Sequence, residues 1–397
     1  MIIALEKATH VSTTADMWTA RRRSFLGMTV HWIGSDLQRR SACLAVRRVI
    51  GSHTHDVIAA AIDSVHKEFG IASKVNCTIT DNGSNFLKAF KVFSCSSSTA
   101  PNEEERENSQ DFDFQEDLDE DEDFVYIDIG DIFEKYSKEC EAQQATASES
   151  SDDENVAAMH TKRIKLPKHI RCSCHLLNLI ATTDINNINN VAFKKMKKRI
   201  DAKLQKIWNK QSRSSLASDH IKDKLGVLFV LYNATRWNSF YDAVECVTKL
   251  IESKNEELSE LFLHFNIEPL TKAEEEFLLE YVRIMEPFTQ ALDVLQNEEK
   301  MSLGCVLPTI KLLQEKMEEF SKDSSIVHCE SLVLAIISGL HTRFGEMFKN
   351  LHMRLASVSD PNFKTIWADE SEKEQLVTLL KSTVRRHKAF NLNPVSG

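Results

Sequence analysis

No run of about 18 apolar residues occurs in the sequence, so a membrane-spanning helix is not expected. The opening stretch, MIIALEKATHVS, lacks a basic segment followed by a long apolar one, which argues against a secretory leader. It begins almost on the first strand pattern, compatible with a segment upstream. No CxxC pair is found among the nine cysteines, whose count is odd and whose spacing is wide. Nothing there makes a four-ligand zinc finger, and the pattern points to reduced thiols in a cytosolic or nuclear compartment. Cys172, Cys174 and His175 form the one tight cluster, readable as zinc ligands or as packing at a helix start.

What is present is unevenly distributed. Apolar residues make up 42% and charged residues 27%, the balance of a soluble globular chain. The net charge of −10 conceals two opposed parts. Residues 101–155 hold 22 Asp and Glu against three Lys and Arg, and subtracting this −19 from −10 leaves +9 on the rest. A basic body attracts phosphate, and an acidic segment competes with it.

Three regions follow from the patterning. Residues 1–93 read as α/β. Strands are expected at 13–18, 24–33, 41–50 and 75–79, with helices at 55–69 and 84–93. Their order, β-β-β-α-β-α, describes a mixed sheet in which an antiparallel meander is followed by a helical crossover. Residues 94–163 open with SCSSSTAPNEEERENSQ and continue into DEDED, an acidic low-complexity insertion whose composition predicts disorder. FVYIDIGDIF, at 124–133, is an apolar island inside it. Residues 164–185 read as the end of the core, a short strand at 169–172 running into a helix. Residues 186–397 read as helical. KKMKKR at 194–199 marks a basic helix face, either solvated or in contact with phosphate. TKAE at 271–274 fits a capping box, and Pro287 is expected to kink or divide the helix that follows.

The candidate chemistry begins at TITDNGSN, residues 78–85. Asp81 leaves a buried strand there, in a setting that suits either a turn and helix cap or a metal ligand. TTADMWT, at 13–19, places Asp16 near the end of the first strand. If the first and fourth strands are neighbours, the two carboxylates converge. Like charges at one place repel, and a divalent cation relieves the repulsion. Mg²⁺ or Mn²⁺ held by such carboxylates is the two-metal arrangement of a ribonuclease H-like nuclease or transposase core.

At that point the sequence resembles the hAT superfamily of DNA transposases, in particular relatives carrying a BED zinc finger. The resemblance is carried by TTADMWT, HTHD at 53–56 and TDNGSN at 80–85, then by RCSCHLLNL at 171–179. In the last block Cys172, His175, Asn178 and Leu179 fill the Cys-x-x-His-x-x-Asn-Leu positions. TRWNSFYD at 235–242 and EPFTQALDVLQNEEKMSLGCVLP at 286–308 follow in order. The resemblance implies catalytic and metal-binding roles for Asp16 and Asp81. It also implies DNA contacts by His175, Arg236, Trp237 and Asn238, with Trp237 stacking on an extruded base. The bland alternatives are caps for the two Asp residues, core packing for Trp237, packing or capping for His175 and a structural carboxylate pair for Arg236.

The resemblance also implies a third catalytic residue, a Glu in a Ser-Glu-Arg block of a C-terminal dimerisation region, and an N-terminal BED finger. Neither block is read in the 397 residues. The expectation is therefore a degenerate core acting in the nucleus by binding DNA weakly, or by binding a protein partner or a second copy, without a membrane. The alternatives are a working metal-dependent transposase or nuclease, and a truncated fragment without stable function.

Overall fold

The computed structural model describes residues 1–94, 164–232, 238–297 and 301–386. The acidic insertion from 95 onward, its apolar island, and Arg236 and Trp237 lie outside the described residues. Two compact units result, Met1–Cys172 and Ser173–Gly397. No helix of the described residues is long and apolar enough to cross a membrane.

The first unit is a mixed five-stranded sheet. A short helix α1 (Ile2–Lys7) precedes β1 (Val11–Ala20), β2 (Arg23–Ile33) and β3 (Arg39–Val49). Then come α2 (His55–Glu68), β4 (Val75–Thr80), α3 (Ser84–Phe93) and β5 (Lys168–Arg171). The strand order is β3-β2-β1-β4-β5. The meander β1-β2-β3 is antiparallel, and β4 lies parallel to both β1 and β5. α1 was not expected from the sequence; Leu5 seats it in the core at 1% exposure.

Alternation explains which face is covered. Leu26, Met28 and Val30 of β2 are buried with Val11 and Ala15 of β1. Ile58, Ile62 and Val65 of α2 and Phe86 and Phe90 of α3 complete this core. The 3.6-residue period of the helices matches the two-residue period of the strands across one face. Between β1 and β2 the chain reverses through Arg21 and Arg22, both at positive φ (49° and 63°). Two-residue hairpins require this geometry, which Asn and Gly adopt with less strain than Arg.

The second unit is helical. α4 (Ser173–Leu179) continues through a π-helical turn (Ile180–Asp184). α5 (Val191–Arg213), α6 (Ser215–Leu225), α7 (Ser239–His264) and α8 (Lys272–Gln296) follow. A 3₁₀ turn (Leu303–Cys305) leads into α9 (Val306–Phe320), α10 (Glu330–Lys349), α11 (Leu351–Ser359) and α12 (Glu370–Arg386). The capping box at the start of α8 is present: Thr271 Oγ1 accepts from Glu274 N, and Glu274 Oε2 accepts from Thr271 N. Pro287 does not divide α8, which runs unbroken around it with Ile284, Met285, Phe288 and Leu292 buried. Tertiary packing outweighs the one backbone bond that proline removes. The non-helical residue falls instead at Lys254 inside α7, whose Nζ donates to the Leu225 carbonyl.

Candidate functional site

β1 is longer than the sequence pattern implied, so Asp16 stands inside the strand and not at its end. The last pair between β1 and β4 is Ala15 with Thr80, and the next residue along each chain is Asp16 and Asp81. Asp16 shares a face with Ser12 and Thr14, whereas Thr13 and Ala15 turn toward α2. On that same face Cys77 Sγ donates to Ser12 Oγ at 3.5 Å, so β1 and β4 are in step there. Opposite Asp16 on β2 stands Gly27. A Cβ at Gly27 would meet Trp18 Cζ3 at 2.7 Å, which shows that the Trp18 ring lies across that position. The ring also stacks on Phe25, with centroids 5.8 Å apart.

Asp81 is fixed by the turn it opens. Its Oδ1 accepts from Gly83 N at 3.0 Å, the turn role that the sequence allowed. Asn82 Oδ1 is buried with no hydrogen-bond partner among the described residues. Asp81, Trp18, His53 and Ser84 line a cavity of about 240 Å³.

Beneath this face, two histidines lock the strands, His66 buried and His169 half-buried. Thr13 Oγ1 lies 2.8 Å from Thr78 Oγ1 and 3.2 Å from His66 Nε2. Thr80 Oγ1 donates to the Asp81 carbonyl at 2.8 Å and so accepts from His169 Nε2 at 2.9 Å. Phe90 stacks on His169 at 4.5 Å. Burial pushes His66 down to about 4, against the pull of Asp63. Burial, with Arg171 beside it, pushes His169 down to about 4 as well. Both imidazoles are neutral near pH 7 and act as hydrogen-bonding struts. Sequence reasoning missed them; the available signal was a histidine on the apolar face of α2 and threonines alternating toward the core.

The carboxylates of Asp16 and Asp81 are hard oxygen donors, which suit Mg²⁺ or Mn²⁺. Asp16 and Asp81 would hold such an ion, and the unsatisfied Asn82 Oδ1 beside them is chemically compatible with it. Among the described residues, no group of three or more His, Cys, Asp or Glu is placed to hold a metal. That applies equally to the Cys172, Cys174 and His175 cluster.

His175 belongs to the helical unit, half-buried on α4. Asn238 precedes α7, and its Nδ2 donates to Asp293 Oδ1 at 2.9 Å. A cavity of about 340 Å³ in this unit is lined by Asn178, Trp208, Tyr232, Asn238, Phe240 and Tyr281 among others. The π-helical turn below Asn178 is clamped by Arg343, which donates to both oxygens of Asp184 at 2.5 and 2.8 Å.

Residues 14–100 match the family model of the ZBED1 RNase-like domain. The match supports, at the family level, a relation to hAT- and ZBED-related transposase-derived proteins. The mixed sheet followed by helices is consistent with an RNase-like α/β domain and a helical region. No curated protein matches the chain.

Proposed function

We propose that this chain is a transposase-derived nuclear protein whose ribonuclease-like core no longer cuts and acts by binding DNA, with a protein partner or second copy as an added contact. The observation that carries the reading is the Asp16–Asp81 pair: adjacent in register, while no group of three or more His, Cys, Asp or Glu is placed to hold a metal among the described residues. In-line phosphoryl displacement on two metals needs ligands that bridge and orient both ions. Two carboxylates hold one hard cation and leave a second under-coordinated. Bound Mg²⁺ or Mn²⁺ would then neutralise the two carboxylates and hold the strand ends, and the aromatic face of Trp18 beside them is available to a ligand.

The test is a cleavage and binding assay on duplex DNA with Mg²⁺ or Mn²⁺, comparing the chain with Asp16→Asn and Asp81→Asn. The expected outcome is duplex binding without cleavage above the level of the variants. Divalent-dependent cleavage abolished by either substitution would establish the second reading, a metal-dependent nuclease or transposase completed by a ligand from outside the described residues. Calorimetry on the same proteins separates the cation from the chemistry: uptake lost in both variants assigns the ion to the pair.

A further inference from the structure

We infer that the outer face of α5 is a phosphate-tracking surface for duplex nucleic acid. The inference rests on the DNA-binding reading above and names the surface that carries it. α5 has nine Lys and Arg and a single acid, Asp201. Apart from Lys194, exposed at the helix start, its cations divide into two sets. Arg199 and Lys203 turn toward Glu274, and Lys197 is bonded to Asp201 at 2.6 Å. Lys195, Lys198, Lys206, Lys210 and Arg213 are exposed and make no ion pair or hydrogen bond among the described residues.

At about 100° per residue these five lie within an arc of roughly 120° and extend over about 27 Å of helix. Ala202, Asn209 and Arg199 occupy the same arc between them, with Arg199 paired to Glu274, and Gln205 lies just outside its edge. No acid interrupts the row. A solvated helix face ordinarily carries both signs interspersed.

The chemistry of the row selects its partner. Protein interfaces are depleted in Lys at their centres and built on aromatic or aliphatic anchors. The row has none, because Phe193, Ile200, Leu204, Ile207 and Trp208 all point inward. An anionic membrane would need the apolar face of the helix, which is buried in the unit. A rigid line of point charges with no apolar anchor fits a regular polyanion. Duplex DNA presents one phosphate per about 1.7 Å of axis, so the row spans the charge of roughly eight base pairs per strand at about 3.4 Å each. The ion pairs from Arg199 and Lys203 to Glu274 fix the helix against α8, so the row is held in place before binding.

The experiment measures binding of a short mixed-sequence DNA duplex as a function of salt, on the full chain. The test variant carries Lys195→Gln, Lys198→Gln, Lys206→Gln, Lys210→Gln and Arg213→Gln. A control variant removes the same charge from other exposed sites of the helical unit: Lys272→Gln, Lys322→Gln, Lys349→Gln, Lys364→Gln and Lys381→Gln. Each released counterion contributes about −0.9 to the slope of log K against log salt. The expected result is a slope shallower by about 4.5 in the test variant and nearly unchanged in the control. If the chain binds the duplex and the two variants behave alike, the α5 surface is overturned while the DNA-binding reading stands. If the unaltered chain binds no duplex at any salt, both fall. Polyglutamate bound as tightly as the duplex, with the same dependence on the five cations, would overturn nucleic acid in favour of an acidic protein.

Discussion

Thr13 and Thr78 share a hydrogen bond 2.8 Å long across the parallel pair β1–β4, and His66 closes on Thr13 from α2. Three residues beyond this strut on each strand stand Asp16 and Asp81, one position past the last β1–β4 pair, Ala15 with Thr80. The strut, and its counterpart between Thr80 and His169, requires neutral imidazole. Folded values of about 4 lie below the ordinary 6.5, so the unfolded chain binds more protons between them. The stabilisation is complete above about pH 6.5 and is lost progressively as pH falls toward 4, on the order of 3 kcal/mol per histidine across the window. Urea denaturation near pH 7 and near pH 5 checks this. Replacing both histidines by Gln should flatten the pH dependence; an equally steep loss in that variant would refute the assignment.

The hairpin between β1 and β2 places Arg21 and Arg22 where φ is positive. Arg21→Asn with Arg22→Gly should raise stability by about 1 kcal/mol, because those residues adopt the turn with less strain. A lower thermal midpoint in the double variant would mean that contacts of the arginines outweigh the strain.

Glu274 is fully buried and receives Arg199 Nε, Lys203 Nζ and Thr271 N. Burial alone would push its carboxyl up, but the Thr271 backbone N–H, then Lys203 and Arg199, outweigh it and hold it below the ordinary value. Its contribution is therefore present above the ordinary carboxylate range and is lost as pH falls through the lowered value. Glu274→Gln should cost about 3 kcal/mol in equilibrium unfolding near neutrality, because the buried Lys203 keeps only the exposed Glu268 as a counter-charge. The variant should also blunt the salt dependence of DNA binding, since α5 loses its anchor.

Gly339 brings α10 against the π-helical turn. A Cβ there would meet Asp184 Oδ2 at 2.7 Å and Ile180 Cγ1 at 2.9 Å. Gly339→Ala should cost about 1–3 kcal/mol by overpacking and by pushing Asp184 from Arg343. Calorimetric unfolding is the check, and an unchanged midpoint would show that the turn relaxes freely.

The sequence by itself determined the elements and much of their order. Period-two runs at 24–33 and 41–50 and the helical spacing at 55–69 have one geometric reading each. Val and Ile on strands, Thr271 and Glu274 at a cap, and Asp81 in a turn are local choices, decided by backbone stereochemistry within a few residues. The family-bearing motifs were legible for the same reason, since each is a short contiguous string. What only the tertiary structure decided is long-range. The pairing of β1 with β4, which sets Asp16 and Asp81 one position past its last pair on each strand, joins residues 65 positions apart. The neutrality of His66 and His169 depends on burial that no local pattern reveals. Pro287 continues its helix because neighbours on every buried turn hold it there. The division of α5 into an inward, paired set of cations and an outward, unpaired one was set by where Glu274 came to rest, a consequence of packing and not of composition.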